Sequence, residues 1–410
     1  MTVFFNIFRQ INGKTMFVKM NTKMKLFALG SSSLIMILAN TMLFPIFPQM
    51  RKALDLGLRD ISLMVLFVSL PAAFLNPIAG YLADIWGRKK IMVPSILLYG
   101  LAGGLIGVII FLLEQPFYYI LALRLLQGIG SASPMYLAVA LGGDIFQNQE
   151  ERTRAMGFIE TSNGLGKVSS PVIGGALGLI GWYAPFFLYP LVAIPVALLL
   201  SFSIQEPPLK EKTSLRSELA SLQKLFSLTN FLALMTGFAA IFTLYGTMFW
   251  LGEFLEKTIP DGTIIHGLII SIPVAALIIT ALFASWISTR LGPRITLSSG
   301  LFLSGASLAS IPWVHNTPLL WPALVLLGVS TGLLLPVIDT ISTAVATRGH
   351  RGIIAGFFGS FRCLGAAAAS FLIAVLLDIS LIVSFVFSAG LVIAVGLGVF
   401  LFAREKEMLP

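Results

Sequence analysis

The chain has 410 residues, 57% of them apolar and only 11% charged, with a mean hydropathy of +0.93 and a formal charge of +9. A soluble domain carries about 25% Asp, Glu, Lys and Arg on a solvated surface, so this composition excludes a soluble enzyme or binding module and asks for a bilayer. The single cysteine, Cys363, excludes an internal disulfide, and His266, His315 and His350 are scattered without metal-ligand spacing, so neither a metal nor a cofactor is expected.

In chain order, residues 1–25 form a basic leader with Arg9, Lys14, Lys19, Lys23 and Lys25, which belongs on the cytoplasmic side and has no cleavable-signal pattern. A membrane-crossing helix needs about 20 mainly apolar residues. Twelve such stretches follow, numbered here as spans one to twelve: 26–48, 60–83, 91–113, 117–142, 155–180, 183–204, 229–254, 265–289, 295–315, 319–346, 351–377 and 380–403. The longest polar break, 205–228, is read as a cytoplasmic linker between a first bundle (26–204) and a second (229–403); a short cytoplasmic tail, 404–410, ends the chain.

Lysine and arginine orient the spans. With the amino terminus inside, twenty of the 27 cations fall in cytoplasmic segments and four (Arg51, Lys52, Arg59, Lys257) outside. Arg124, Lys167 and Arg362 lie within spans. The positive charge is therefore a topology signal and calls for no nucleic-acid partner.

The two bundles echo each other. Arg152, Gly157, Phe158, Leu165 and Gly166 match Arg351, Gly356, Phe357, Leu364 and Gly365 at a constant offset of 199, so span five corresponds to span eleven. Gly130 and Pro134 in span four are likewise echoed by Gly332 and Pro336 in span ten. The economical fold is an all-α membrane protein of twelve transmembrane helices in two related six-helix halves.

Three motifs carry more specific information. Between spans two and three stands Gly80-x-Leu82-x-Asp84-x-x-Gly87-Arg88-Lys89-Lys90. Gly87 allows a tight turn, and Asp84 suits the positive end of a neighbouring helix. Span four carries Arg124-x-x-Gln127-Gly128-x-Gly130, and a buried arginine generally faces a cavity or a partner. Span five carries Gly157-x8-Gly166-x3-Ser170-Pro171-x2-Gly174-Gly175, small residues that permit close helix approach around a proline.

These passages resemble the major facilitator superfamily over nearly the whole chain, and the span-five motif resembles that of its drug:proton antiporters, with Ser170 where the family has glycine. The resemblance implies a major facilitator fold of two pseudo-symmetric bundles. It also implies that the Asp84 loop latches the halves in the outward-facing state against span eleven, and that Arg124 takes part in proton transfer. Span ten and the loop after it, with Pro336, Asp339, Arg348, Arg351, Ser360 and Arg362, resemble bacterial efflux members as well.

The ionisable residues within spans are Arg124, Glu160, Lys167, Asp339 and Arg362, on spans four, five, ten and eleven. In span five, Glu160, Asn163, Lys167, Ser170 and Gly174 share one helical stripe. Lys167 follows Glu160 by about 10.5 Å along the axis, so the two either meet directly or share water with Asn163 between them. Arg362 and Asp339 are the equivalent pair in the second half. All five are candidates for proton coupling, and static ion pairs that fix helix packing are the plainer reading. Asn40, Asn76, Gln127, Asn163 and Glu253 are candidate cavity residues.

The expected function is proton-coupled export of small amphipathic or cationic organic compounds by alternating access. The protein is expected to act as a monomer in a bilayer, most simply a bacterial plasma membrane with both termini cytoplasmic. A dedicated sugar, siderophore or other metabolite transporter is the alternative, and a membrane sensor or channel a distant one. No nucleotide-binding loop is present to supply direct ATP drive.

Overall fold

A computed structural model describes residues 22–132, 134–146, 148–206, 227–260, 262–345 and 351–408, with side chains 37–40, 149–150, 152–153, 343, 345 and 351–352 left out. Most of the expected leader and linker, the loop carrying Arg348 and His350, the side chain of Asn40 and the last two residues lie outside the described residues.

The described chain is helical throughout. Span one is Thr22–Thr41, followed by a 3-10 turn at Phe44–Ile46 and a short helix at Phe47–Ala53. The expected span ran on to residue 48; Pro45 and Pro48 instead break it into pieces, because proline supplies no backbone donor. Spans two and three are Leu58–Trp86 and Arg88–Leu112. Span four is not continuous: Phe117–Ser131 stops and Pro134–Ile145 restarts, with Ala132 extended. A proline pushes its predecessor out of the helical region and cannot donate to the preceding turn.

Spans five and six are Gln149–Gly178 and Ala184–Ser203. Spans seven to twelve are Leu228–Thr258, Thr263–Leu291, Pro293–Val314, Leu320–Val345, Arg351–Leu377 and Leu381–Phe402. Among the described residues ten helices, counting the two parts of span four together, are long and apolar enough to cross a membrane. Span one and the more polar span five complete the twelve.

Pairing follows the duplication. Within the halves, spans one and five, two and four, and three and six pack together, as do seven and eleven, eight and ten, and nine and twelve. Between the halves, span two packs on eleven and span five on eight. Large apolar side chains such as Phe74, Leu282 and Phe402 remain exposed, as a lipid-facing exterior requires. Lipid offers apolar groups no incentive to leave it, so helix contacts rest on close fit and small residues.

The halves are pinned at the face away from the basic loops. Three ion pairs cross between them there: Arg51 to Glu253 at 2.9 Å, Lys52 to Glu256 at 2.5 Å and Arg59 to Asp378 at 2.6 Å. Spans five and eight meet closely from that face inward, down to Ser271, whose Oγ donates to the Val168 carbonyl at 2.9 Å. Towards the basic face span five is less covered, and a side chain added at Gly157 would meet nothing within 4 Å. The halves are therefore pinned at the far face, while towards the basic face span five is uncovered at Gly157 and spans two and eleven stay in contact at Gly356.

Candidate transport site

Four elements bring ionisable groups to the cleft between the halves. Arg362 lies eleven residues into span eleven, and its Nη2 donates to Asp339 Oδ1 of span ten at 2.7 Å. Arg362 is 10% exposed at its side chain and Asp339 55%, so the pair has a buried end and a wet end. Tyr136, in the second part of span four, faces the same guanidinium from the amino-terminal half. Its ring also lies where a side chain on Gly359 of span eleven would have to go, 2.4 Å from the Cβ position. The cluster thus joins both halves.

Span five supplies Glu160, which is exposed although it sits inside a membrane helix. An exposed carboxylate there faces water in the cleft. Asn163 Nδ2 donates to Glu160 Oε1 at 3.5 Å, while Glu160 and Lys167 form no ion pair within 4 Å among the described residues. Asn163 thus contacts Glu160, and its Oδ1 has no hydrogen-bond partner among the described residues. Glu160 also lies within electrostatic reach of Asp339 and Arg362 across the cleft. Glu160, Lys167, Asp339 and Arg362 therefore form one set of two acids and two bases.

Arg124 and Gln127 are placed elsewhere. Arg124 is 2% exposed, donates to Gln127 Oε1 at 2.9 Å and lies over the Phe186 ring at 5.6 Å. Gln127 Nε2 in turn donates to the Tyr99 carbonyl at 3.3 Å. The arginine motif of span four is thus enclosed by spans three and six inside its own half, and it does not join the cleft set. Asn76 sits in the seam, where its amide is 3.5 Å from Cys363 Sγ of span eleven. Glu253 belongs to the seal, through Arg51.

The glycines of span five divide by depth. A Cβ at Gly174 would stand 1.8 Å from the Met42 carbonyl oxygen, and one at Gly175 2.2 Å from that of Thr263. From the other side, Gly267 of span eight is as close to the Pro171 carbonyl, at 2.2 Å. Ser170 and Gly166 are buried in the same helix. The motif makes the seal at its far end and faces open space at Gly157.

The loop between spans two and three clasps the amino-terminal half. Gly80 is buried in span two. Asp84 reaches Arg88 at 3.6 Å, and Arg88 bonds the Asp144 carboxylate at the end of span four. Gly87 has φ +107°, a region open to glycine. Glu206, just past span six, accepts from the backbone N–H groups of Arg88 and Lys89 at 2.8 and 2.9 Å. A carboxylate on these free amides is favourable because they form the positive end of span three. Lys89 Nζ donates to the carbonyls of Ser201 and Ile204 at 2.6 Å each, the negative end of span six.

The second half repeats part of this clasp. Gly292 has φ +85°, Arg294 Nε donates to the Phe400 carbonyl at 2.8 Å, and Glu405 lies 2.5 Å from the Cβ position of Gly292. Glu206 and Glu405 are separated by 199 residues, the offset of the span-five repeat. The turn glycines Gly87 and Gly292 are offset by 205 residues, so turn and glutamate recur in both halves at slightly different spacings. The family model of the Major Facilitator Superfamily matches residues 29–259 and 262–409. The chain belongs to the Major Facilitator Superfamily.

It is therefore a multi-pass membrane transporter and not an enzyme. The superfamily member of Bacillus subtilis (strain 168) called bacillibactin exporter is 32% identical over 372 residues, covering 88% of this chain and 92% of that protein. Multidrug resistance protein 2 of the same organism is 26% identical over 378 residues, covering 89% and 92%. The crystal structure of the nucleoside transporter NupG superposes with a TM-score of 0.74 at 14% identity, covering 92% of this chain and 99% of that one, a likeness of fold.

Tyr136, Asp144, Glu206 and Glu405 are the site residues that sequence reasoning did not single out. Only the last two carried a usable signal, a glutamate three residues past the final helix of each half.

Proposed function

We propose that this transporter exports small organic compounds in exchange for protons, by alternating access around the Glu160–Lys167–Asp339–Arg362 set. The observation that carries this reading is the Asp339–Arg362 pair, with Tyr136 of the opposite half beside it and Glu160 across the cleft. The two carboxylates feel each other's charge and share two cations. A proton arriving on either one rebalances the whole set, and a cationic compound entering the cleft competes for the same acids. A far face held shut by ion pairs, with Glu160 exposed on the other side of it, fits one end state of a rocking cycle. The loops rich in Lys and Arg set the basic face in the cytoplasm of a bacterial plasma membrane, with both termini on that side. Relatives called exporter and multidrug resistance protein support the outward direction of transport.

A second reading, a dedicated exporter of one metabolite, is favoured by Lys167. It has no ion-pair partner within 4 Å among the described residues, which suits an anionic group on the cargo. The relative called bacillibactin exporter also favours it.

Everted vesicles with an acid interior and a pH-reporting dye separate the two. Proton release on adding several unrelated cations supports the polyspecific antiporter. Release with one anionic class alone supports the dedicated exporter. Proton-driven transport that survives in both Glu160→Gln and Asp339→Asn rules these carboxylates out as the coupling site.

A further inference from the structure

A second group of ionisable side chains lies in the seal, far from the cleft set. Lys52, on the short helix of the amino-terminal half, reaches Glu256 Oε1 of span seven at 2.5 Å. The other oxygen, Oε2, is buried, has no hydrogen-bond partner, and lies 3.9 Å from Nδ1 of His266 on span eight. His266 is 0% exposed, and its Nδ1 is also without a partner.

The tautomer follows from the other side of the ring. Nε2 stands 2.8 Å from the Ile259 carbonyl, which can only accept, so Nε2 carries the hydrogen. In the neutral ring Nδ1 is then a bare acceptor, and it faces a carboxylate oxygen that is also an acceptor. One proton between them converts an unfavourable contact into a charge-assisted hydrogen bond.

We propose that Glu256 and His266 form a proton-binding site within the far-face seal, and that filling it releases the two halves from each other. The ligand is a proton from the compartment on that face, outside the cell in the orientation given above. Lys52, 59% exposed at its side chain, marks the wet edge of the site.

Charge decides the direction. Without the extra proton, Lys52 of one half and Glu256 of the other cancel. With it, the three groups carry a net positive charge, and the new cation sits on the carboxy-terminal half, across Glu256 from Lys52 of its neighbour. Glu256 now divides its charge between Lys52 and His266, and separation of the halves lets Lys52 move to water while His266 keeps its partner. The surroundings add little. Span five brings Gly175 and Gly178 to Thr263, and the 3-10 turn Phe44–Ile46 is uncharged. The Arg51–Glu253 pair is internally balanced about one helical turn away. His315 packs its ring on Phe254, and Lys257 lies on the same face.

This inference is independent of the cargo and of the cleft carboxylates, and its test uses neither substrate nor gradient. Spin labels at Ala53→Cys and Asn316→Cys, in the full chain carrying Cys363→Ala and held in nanodiscs, report the distance across the far face. A sealed distance should dominate at pH 8.5, and the separated population should grow at least about fivefold by pH 5. His266→Gln keeps an amide donor for Ile259 but cannot titrate, and it should flatten the response; Glu256→Gln should be separated at both pH values. Asp339→Asn should respond like the parent, which distinguishes this site from the cleft. A parent distance that does not change with pH overturns the proposal, as does a response that persists with the same midpoint in both His266→Gln and Glu256→Gln.

Discussion

Arg362 donates to Asp339 at 2.7 Å and so ties span eleven to span ten beside Tyr136 of the other half. Replacing Asp339 by Asn removes the charge and keeps the shape. Because Asp339 is half exposed, the pair contributes about 1 kcal/mol or less to stability. Proton-driven flux should nevertheless fall about a hundredfold, the scale for losing a proton-transfer group. Thermal unfolding in detergent and flux in proteoliposomes, measured on one preparation, check both halves of the statement.

Glu160→Gln should separate transport from coupling. The cleft keeps its volume and the Asn163 contact, so exchange of labelled cargo at equal concentrations should persist. Uphill transport driven by a proton gradient should be lost. Equal losses in the two assays would show that Glu160 holds cargo or structure instead.

The span-five motif predicts opposite outcomes for two of its own glycines. Alanine at Gly175 places a methyl 2.2 Å from the Thr263 carbonyl oxygen, so spans five and eight must part, at a cost of about 1–3 kcal/mol. Alanine at Gly157 meets nothing within 4 Å and should be neutral or stabilise the helix by up to about 1 kcal/mol. The difference in melting temperature between the two variants is the measurement.

Glu206→Ala should cost about 1 kcal/mol, the value of a charged group on free helix amides. Gly87→Ala should cost at least as much, because φ +107° disfavours a side chain and its Cβ would lie 2.7 Å from the Glu206 carboxyl carbon. In Glu206→Ala that steric conflict disappears, so the double variant should be less damaging than the sum of the two.

Much of this architecture was legible because lipid imposes simple demands. Every span must be long, apolar and internally hydrogen-bonded, and a duplicated chain shows each rule twice. Asp339 and Arg362 could be paired on paper because buried opposite charges in the corresponding half have few other partners. What could not be read was orientation about a helix axis and contact across great sequence distance. Arg124 is a cation within a span in either view, but only packing shows that it faces Phe186 in its own half. The break after Ala132 was hidden because 117–142 is apolar enough to read as one span with Pro134 inside it. Tyr136 belongs to no motif, and Lys52, Glu256 and His266 come from three elements that no spacing connects.

Glu206 on the Arg88 and Lys89 amides, and Arg294 on the Phe400 carbonyl, close their clasps entirely inside their own halves. Each half therefore carries its own end-stop, and among the described residues none of these contacts depends on the 20 residues between 207 and 226. A polypeptide nicked in that segment should behave as two separately synthesised fragments that find each other in the bilayer. Co-expression of 1–206 with 227–410 should restore transport by complementation, with the assembly held by spans two and eleven and spans five and eight.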